Sequence, residues 1–136
     1  MNDYRVLVVD DEPVVRMCYA AALAESSCEL STAKDGAEAL RAMQHDPCDV
    51  VFLDLRMPGE DGMSVLKQIK HQWPESEVVI VTGYPSVDTA KEAVRLGAFD
   101  YLAKPVGPDD IVGAARGAIT RKLWALRDTI TTRSIP

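Results

Sequence analysis

Uninterrupted apolar runs recur along this chain, and each leads into a stretch whose apolar residues fall at three-and-four spacing. The runs RVLVVDD, CELSTA, CDVVFLDL, EVVIVTG and FDYLAKP read as strands. Val50, Val51, Phe52 and Leu53 show no polar alternation, so both faces of their strand are expected to be covered, as in a parallel sheet between helix layers. EPVVRMCYAAALAES, GAEALRAMQHD, GMSVLKQIKHQW and SVDTAKEAVRLG read as helices. Pro13 needs no backbone donor at a helix start, and Gly97 suits a left-handed cap. Strand alternating with helix predicts right-handed crossovers and a doubly wound α/β sheet. Ligands of such sheets bind outside the carboxyl ends of the strands, where the strand order reverses.

Composition bounds this picture. With 136 residues and 47% apolar content, one domain and a short appendage are expected. The net charge of -6 argues against a nucleic-acid surface as the main function of this segment, although an acidic chain can tether a separate DNA-binding domain. Cys18, Cys28 and Cys48 are odd in number and lack CxxC spacing, so structural thiols in a reduced, cytoplasmic setting are expected. The first apolar run, Val6 to Val9, is too short for a signal peptide and ends in acid, and no segment has the length of a membrane span.

The strand ends carry the chemistry. Asp10 and Asp11 follow the first strand, Asp54 the third, Thr82 the fourth and Lys104 the fifth. Two carboxylates ~5 Å apart repel by about 3 kcal/mol at an effective dielectric near 20. Lys104 offsets one charge, and an acidic oxygen cluster with water access suits Mg²⁺, with Mn²⁺ as a substitute. Asp54 can then act as a carboxylate nucleophile towards phosphorus, with the metal, Lys104 and Thr82 stabilising the phosphoryl oxygens.

The set VVDDEP, LDLRMPGEDG, VTGY and YLAKPV resembles the response-regulator receiver domain of two-component signalling, from about Arg5 to about Ile119. The resemblance implies a flavodoxin-like, CheY-like sheet of five parallel strands in the order 2-1-3-4-5 with five helices. It implies Asp54 as phosphoacceptor, Asp10 and Asp11 as the acidic pair at the metal, and the Arg56 backbone carbonyl as a further metal ligand. Thr82 matches the switch hydroxyl, Lys104 the phosphate-contacting lysine followed by a cis peptide at Pro105, and Tyr101 the switch aromatic. Arg56 and Tyr84 match the positions that tune how long the phosphoryl group survives, and their size implies a long lifetime. The implied partners are a sensor histidine kinase or phosphotransfer protein and a downstream output domain. VTGYPSVDTAKEAVRLGAFDYLAKPV is similar to receivers of σ54-dependent activators of the NtrC type, hence transcription regulation. The implied domain is a module that assists its own phosphorylation more than an enzyme, with no membrane contact and no direct nucleic-acid binding.

Other features read plainly. His45 and His71 lie near helix ends, where a cation favours the dipole, and neither has metal-ligand spacing. Gly113 and Gly117 form GxxxG within a charged segment, so close packing explains them better than a membrane dimer. Val112, Ala115, Ile119, Leu123, Leu126 and Ile130 continue a helical stripe, which divides the chain into a receiver over 1–120 and an extension or linker over 121–136. A homodimer through this helix, or through the fourth helix, fifth strand and fifth helix, is compatible with the stripe. Arg116, Arg121, Lys122 and Arg127 read as a solvated face. A haloacid-dehalogenase-type hydrolase would place a second Asp where Arg56 stands. A flavodoxin-like cofactor binder would place a Ser, Thr and Gly loop where DDEP stands. A receiver that no longer accepts phosphate would lack side chains that this sequence retains.

Overall fold

A computed structural model describes residues 3–57 and 59–134, with side chains to Arg127. Strands β1 (Tyr4–Val9), β2 (Cys28–Ala33), β3 (Val50–Asp54), β4 (Glu77–Thr82) and β5 (Asp100–Ala103) form one parallel sheet in the order β2-β1-β3-β4-β5. Between and after them run α1 (Pro13–Ala22), α2 (Gly36–His45), α3 (Gly62–Gln72), α4 (Val87–Arg95) and α5 (Pro108–Ser134). The order reverses between β1 and β3, which brings the ends of those two strands together at one rim.

Every residue of β3 is buried, as is every residue of β4, because helices cover both faces. Leu7, Val9, Leu53, Val78 and Ile80 face Val65, Leu66 and Ile69 of α3 on one side. Val6, Val8, Phe52, Val79 and Val81 face Tyr19 of α1 and Ile111, Ala115 and Ala118 of α5 on the other. Three helices begin at side-chain caps: Asp35, Asp61 and Ser86 accept backbone N–H bonds from Glu38, Met63 and Thr89. α1 begins instead with Pro13 at its first position. Gly97, at φ 98°, ends α4 in the left-handed region.

The first strand run overshoots: RVLVVDD ends its ladder at Val9, and Asp10 and Asp11 turn out of the sheet. α1 stops at Ala22, short of the full apolar stretch, although Leu23 beyond it is buried. α5 is continuous, and its first turns pack with Gly117 against Phe99, where a Cβ would lie 3.0 Å from the ring. Arg121 reaches the buried carboxylate of Glu77 at 3.3 Å, and Lys122 bonds Asp49 at the amino end of the sheet. Leu123 is 60% exposed, so the stripe leaves the sheet there. Ile130 and the end of TTRSIP lie outside the described side chains.

The cysteines are free, and burial pushes the Cys48 thiol up to about 11, which keeps it protonated and inert. His45 and His71 both fall in the last turn of their helices. Among the described residues no helix is long and apolar enough to cross a membrane.

Candidate functional site

Asp54 is the last residue of β3 and is only 6% exposed. Its Oδ1 accepts the Arg56 backbone N–H at 3.1 Å, and its Oδ2 accepts from Lys104 Nζ at 3.2 Å. The same ammonium donates to Asp10 Oδ2 at 2.9 Å, while Asp10 Oδ1 accepts the Glu12 N–H at 2.9 Å. One lysine from the end of β5 thus bridges carboxylates from β1 and β3. Its direction follows from the chain: Lys104 N–H donates to the Thr82 carbonyl at 2.7 Å, and the Lys104–Pro105 bond is cis.

Asp11 is exposed beside Asp10, and carboxylate oxygens of Asp10, Asp11 and Glu12 lie within 4.8 Å of one another. The pocket therefore carries more negative than positive charge. Burial raises the Asp54 pKa, and although the Arg56 N–H and the Lys104 charge pull it down, Asp10 adds to the rise. Burial alone would lower Lys104, but its hydrogen bonds and charge contacts with Asp10 and Asp54 outweigh burial and hold it up. The Asp54 rise is chiefly a cost of burial with a smaller addition from Asp10, whereas the Lys104 rise reflects the two carboxylates around it. A hard divalent cation fits that donor set, since oxygen ligands of one sign crowd together with water access on the Asp11 side.

Sequence reasoning and structure differ in detail here. Thr82 is 1% exposed, and its Oγ1 accepts the Tyr84 N–H at 3.1 Å, which ties it to the connection into α4 and not to Asp54. Tyr101 is half-buried, with its hydroxyl on Ser86 and Thr89. Arg56 and Tyr84, both exposed, meet: the guanidinium carbon sits 4.0 Å above the Tyr84 ring. Sequence reasoning passed over Glu12, which extends the acid run, and Arg16, whose Nη1 donates to the Asp10 carbonyl at 2.8 Å. Glu12 was visible in DDEP; Arg16 needed the knowledge that one helical turn returns it to Asp10. It also passed over Tyr19, buried against Phe52 at 5.1 Å, whose pKa burial and the nearby Asp10 and Asp54 charges raise.

A short hairpin, Arg56–Met57 with Glu60–Asp61, turns back under the site around Gly59 at φ 76°. It brings Gly62 against the end of β3, where a Cβ would stand 2.5 Å from Leu55 Cα and 2.7 Å from the Asp54 carbonyl oxygen. Backbone cannot yield as a side chain does. Gly62→Ala is therefore expected to destabilise the fold by about 1–3 kcal/mol, the usual cost of forced overpacking. Urea unfolding at constant m-value measures it, and a midpoint equal to wild type contradicts it.

Residues 6–116 match the family model of the response regulator receiver domain. The chain belongs to that family. It is 42% identical over 115 residues to the DNA-binding transcriptional regulator NtrC of Escherichia coli K12, covering 85% of this chain and 24% of that protein. It is 41% identical over 125 residues to the alginate biosynthesis transcriptional regulatory protein AlgB of Pseudomonas syringae pv. tomato, covering 91% of this chain and 28% of that one. The chain thus spans about a quarter of the length of these relatives. Among solved structures, NtrX from Brucella abortus superposes with a TM-score of 0.86 at 35% identity, over 96% of this chain and 30% of that one. A receiver domain protein from Clostridium thermocellum gives 0.83 at 36% identity, over 90% and 98%.

Proposed function

We propose that Asp54 accepts a phosphoryl group and that the domain passes the event to an output partner through a changed surface. The observation that carries the reading is the shared ammonium: Lys104 holds Asp54 and Asp10 together at the ends of three strands. A carboxylate oxygen of Asp54 attacks phosphorus, the bond from phosphorus to the donor breaks, and an imidazole or carboxylate leaves with that electron pair. The donor is a histidine kinase or phosphotransfer protein, or a small acyl phosphate. Intact mass after incubation with acetyl phosphate and Mg²⁺ tests the reading: a gain of one phosphoryl group is expected, and an unchanged mass contradicts it.

Mg²⁺, or Mn²⁺ in its place, would be held by Asp10, Asp11, Asp54 and the Arg56 carbonyl, and when bound it supplies positive charge to the phosphoryl oxygens. Lys104 moves its charge-assisted hydrogen bonds from two carboxylates onto the new phosphoryl oxygens. Thr82 turns its hydroxyl to the same oxygens. Tyr101 follows, and the surface of α4, β5 and α5 changes between pre-existing states. We assign the receiver to 1–120 and an extension or linker to 121–136, whose Arg121 and Lys122 are held by Glu77 and Asp49. A homodimer through α4, β5 and α5 or through the extension, a cytoplasmic setting, and control of transcription by an attached or separate output domain complete the reading.

Arg56, two residues beyond Asp54, stacks on Tyr84, and the pair would screen the acyl phosphate from water. The phosphorylated form is expected to decay several-fold faster in Arg56→Asn with Tyr84→Glu than in wild type, measured as phosphate release. Equal decay would remove the screening role.

A further inference from the structure

Tyr101 is tied to the first turn of α4. Its hydroxyl accepts the Ser86 backbone N–H at 3.2 Å and lies 2.6 Å from the Thr89 hydroxyl. Ser86 is the cap of α4, and its Oγ accepts the Thr89 N–H at 3.1 Å. Thr89 Oγ1 lies 2.8 Å from Ser86 Oγ and donates to the Ser86 carbonyl at 3.3 Å. One set of protons satisfies the circuit. Ser86 N–H goes to the Tyr101 oxygen, Tyr101 O–H to the Thr89 oxygen, Thr89 O–H to the Ser86 carbonyl, and Thr89 N–H to Ser86 Oγ. A helix cap and a strand side chain thereby share one closed ring of hydrogen bonds.

The ring adjoins the candidate site. Ser86 and Thr89 line a cavity of about 280 Å³ together with Arg56, Thr82 and Tyr84. Thr82 Oγ1 holds the Tyr84 N–H, so the connection from Thr82 to Ser86 is anchored at one end by the Thr82 hydroxyl and at the other by Tyr101 and Thr89.

We propose that Thr89 is a positioning residue: with the Ser86 cap it latches the Tyr101 hydroxyl in the unphosphorylated domain. Release of this latch frees Tyr101 and the first turn of α4 together. Release as a consequence of phosphorylation rests on the reading of Asp54 as phosphoacceptor. When the Thr82 hydroxyl turns to phosphoryl oxygens, the Tyr84 N–H loses its acceptor and the connection shifts. Displacing Ser86 by about 1 Å takes its N–H beyond hydrogen-bonding range of Tyr101. Thr89, whose N–H is held by Ser86 Oγ, shifts with the cap, so Tyr101 loses both partners at α4 and the cap loses the hydroxyl that ordered it.

Hydrogen exchange and mass spectrometry on the whole chain test both halves. Thr89→Val removes the hydroxyl and keeps the shape and the capped N–H; Tyr101→Phe removes that bond from the other side together with the acceptor of the Ser86 N–H; Thr89→Ser restores the Thr89 hydroxyl. In the unphosphorylated chain, the Ser86 amide is expected to exchange about three- to ten-fold faster in Thr89→Val and in Tyr101→Phe, the factor that one net hydrogen bond provides. The double variant is expected to exchange no faster than Tyr101→Phe alone, and Thr89→Ser as slowly as wild type. Wild-type exchange in both single variants, additive effects in the double, or failure of Thr89→Ser to restore protection would overturn the latch. In wild-type chain shown by intact mass to carry the phosphoryl group, Ser86 is expected to exchange at the Thr89→Val rate; unchanged protection there overturns release by phosphorylation. Absence of the mass gain overturns the phosphoacceptor reading instead, while the exchange of the unphosphorylated variants still decides the latch.

Discussion

Asp54→Asn is expected to abolish the phosphoryl adduct that acetyl phosphate and Mg²⁺ form on the wild-type chain, a complete loss by intact mass. The substitution is nearly isosteric. Its amide oxygen can still accept the Arg56 N–H that Asp54 Oδ1 accepts at 3.1 Å, so the end of β3 stays in place. What disappears is the nucleophile, because an amide nitrogen has no available lone pair. Asp11 and Glu12 are exposed and lack a lysine contact among the described bonds. An adduct of undiminished yield on Asp54→Asn would move the phosphoacceptor elsewhere.

The second large effect is on stability. Lys104 bridges Asp10 and Asp54, with Asp11 exposed beside Asp10, and a pair of carboxylates ~5 Å apart in the pocket repels by about 3 kcal/mol at an effective dielectric near 20, partly offset by the ammonium. Mg²⁺ at a hundred times its dissociation constant contributes about 2.7 kcal/mol to a site that binds only the folded chain. In a domain of this size that is a rise in melting temperature of about 8–12 °C. Asp11→Asn removes a ligand on the open side and is expected to lose most of that rise. Without metal, Asp54→Asn at neutral pH is expected to melt about 3–5 °C above wild type, the effect of ~1 kcal/mol. The pH dependence has a definite sign. A carboxyl whose pKa rises on folding, as burial raises that of Asp54, binds its proton more tightly in the folded chain. Its contribution to stability is greatest when it is protonated and is lost as pH rises through the folded pKa. The advantage of Asp54→Asn should therefore shrink as the medium is acidified into the carboxylate range. A Mg²⁺ rise equal in wild type and Asp11→Asn, or an advantage that grows on acidification, would show that these acids do not share a pocket.

The strands were legible because burial on both faces leaves no room for alternation: Val50 to Leu53 and Val78 to Val81 are apolar throughout, and both runs are fully buried. The site was legible to the extent that one position, the strand end, fixed where Asp10, Asp54 and Lys104 would meet. What periodicity could not supply were contacts made by turns and by distant partners. The hairpin of Arg56–Met57 with Glu60–Asp61 turns around Gly59 at positive φ rather than following an apolar pattern. The closed ring of Ser86, Thr89 and Tyr101 joins residues 12 and 15 positions apart, a spacing with no local signature. Glu77 looked like the polar start of a strand, yet it is 7% exposed beneath Arg121 of the α5 extension. The apolar pattern does not mark that burial, because its cations come from other elements: Lys70 near the end of α3, and Arg121 on a helix that begins thirty-one residues later, at Pro108.

The most direct measurement traps the adduct chemically. Borohydride cleaves an acyl phosphate and leaves the aspartyl carbon as an alcohol, so tandem mass spectrometry of the digested chain reads the acceptor from the residue converted to homoserine. Conversion at Asp54, dependent on acetyl phosphate and absent when the metal is chelated, is the predicted result. Conversion at Asp10 or Asp11, or an unmodified Asp54 in a chain that has gained the phosphoryl mass, would contradict the account.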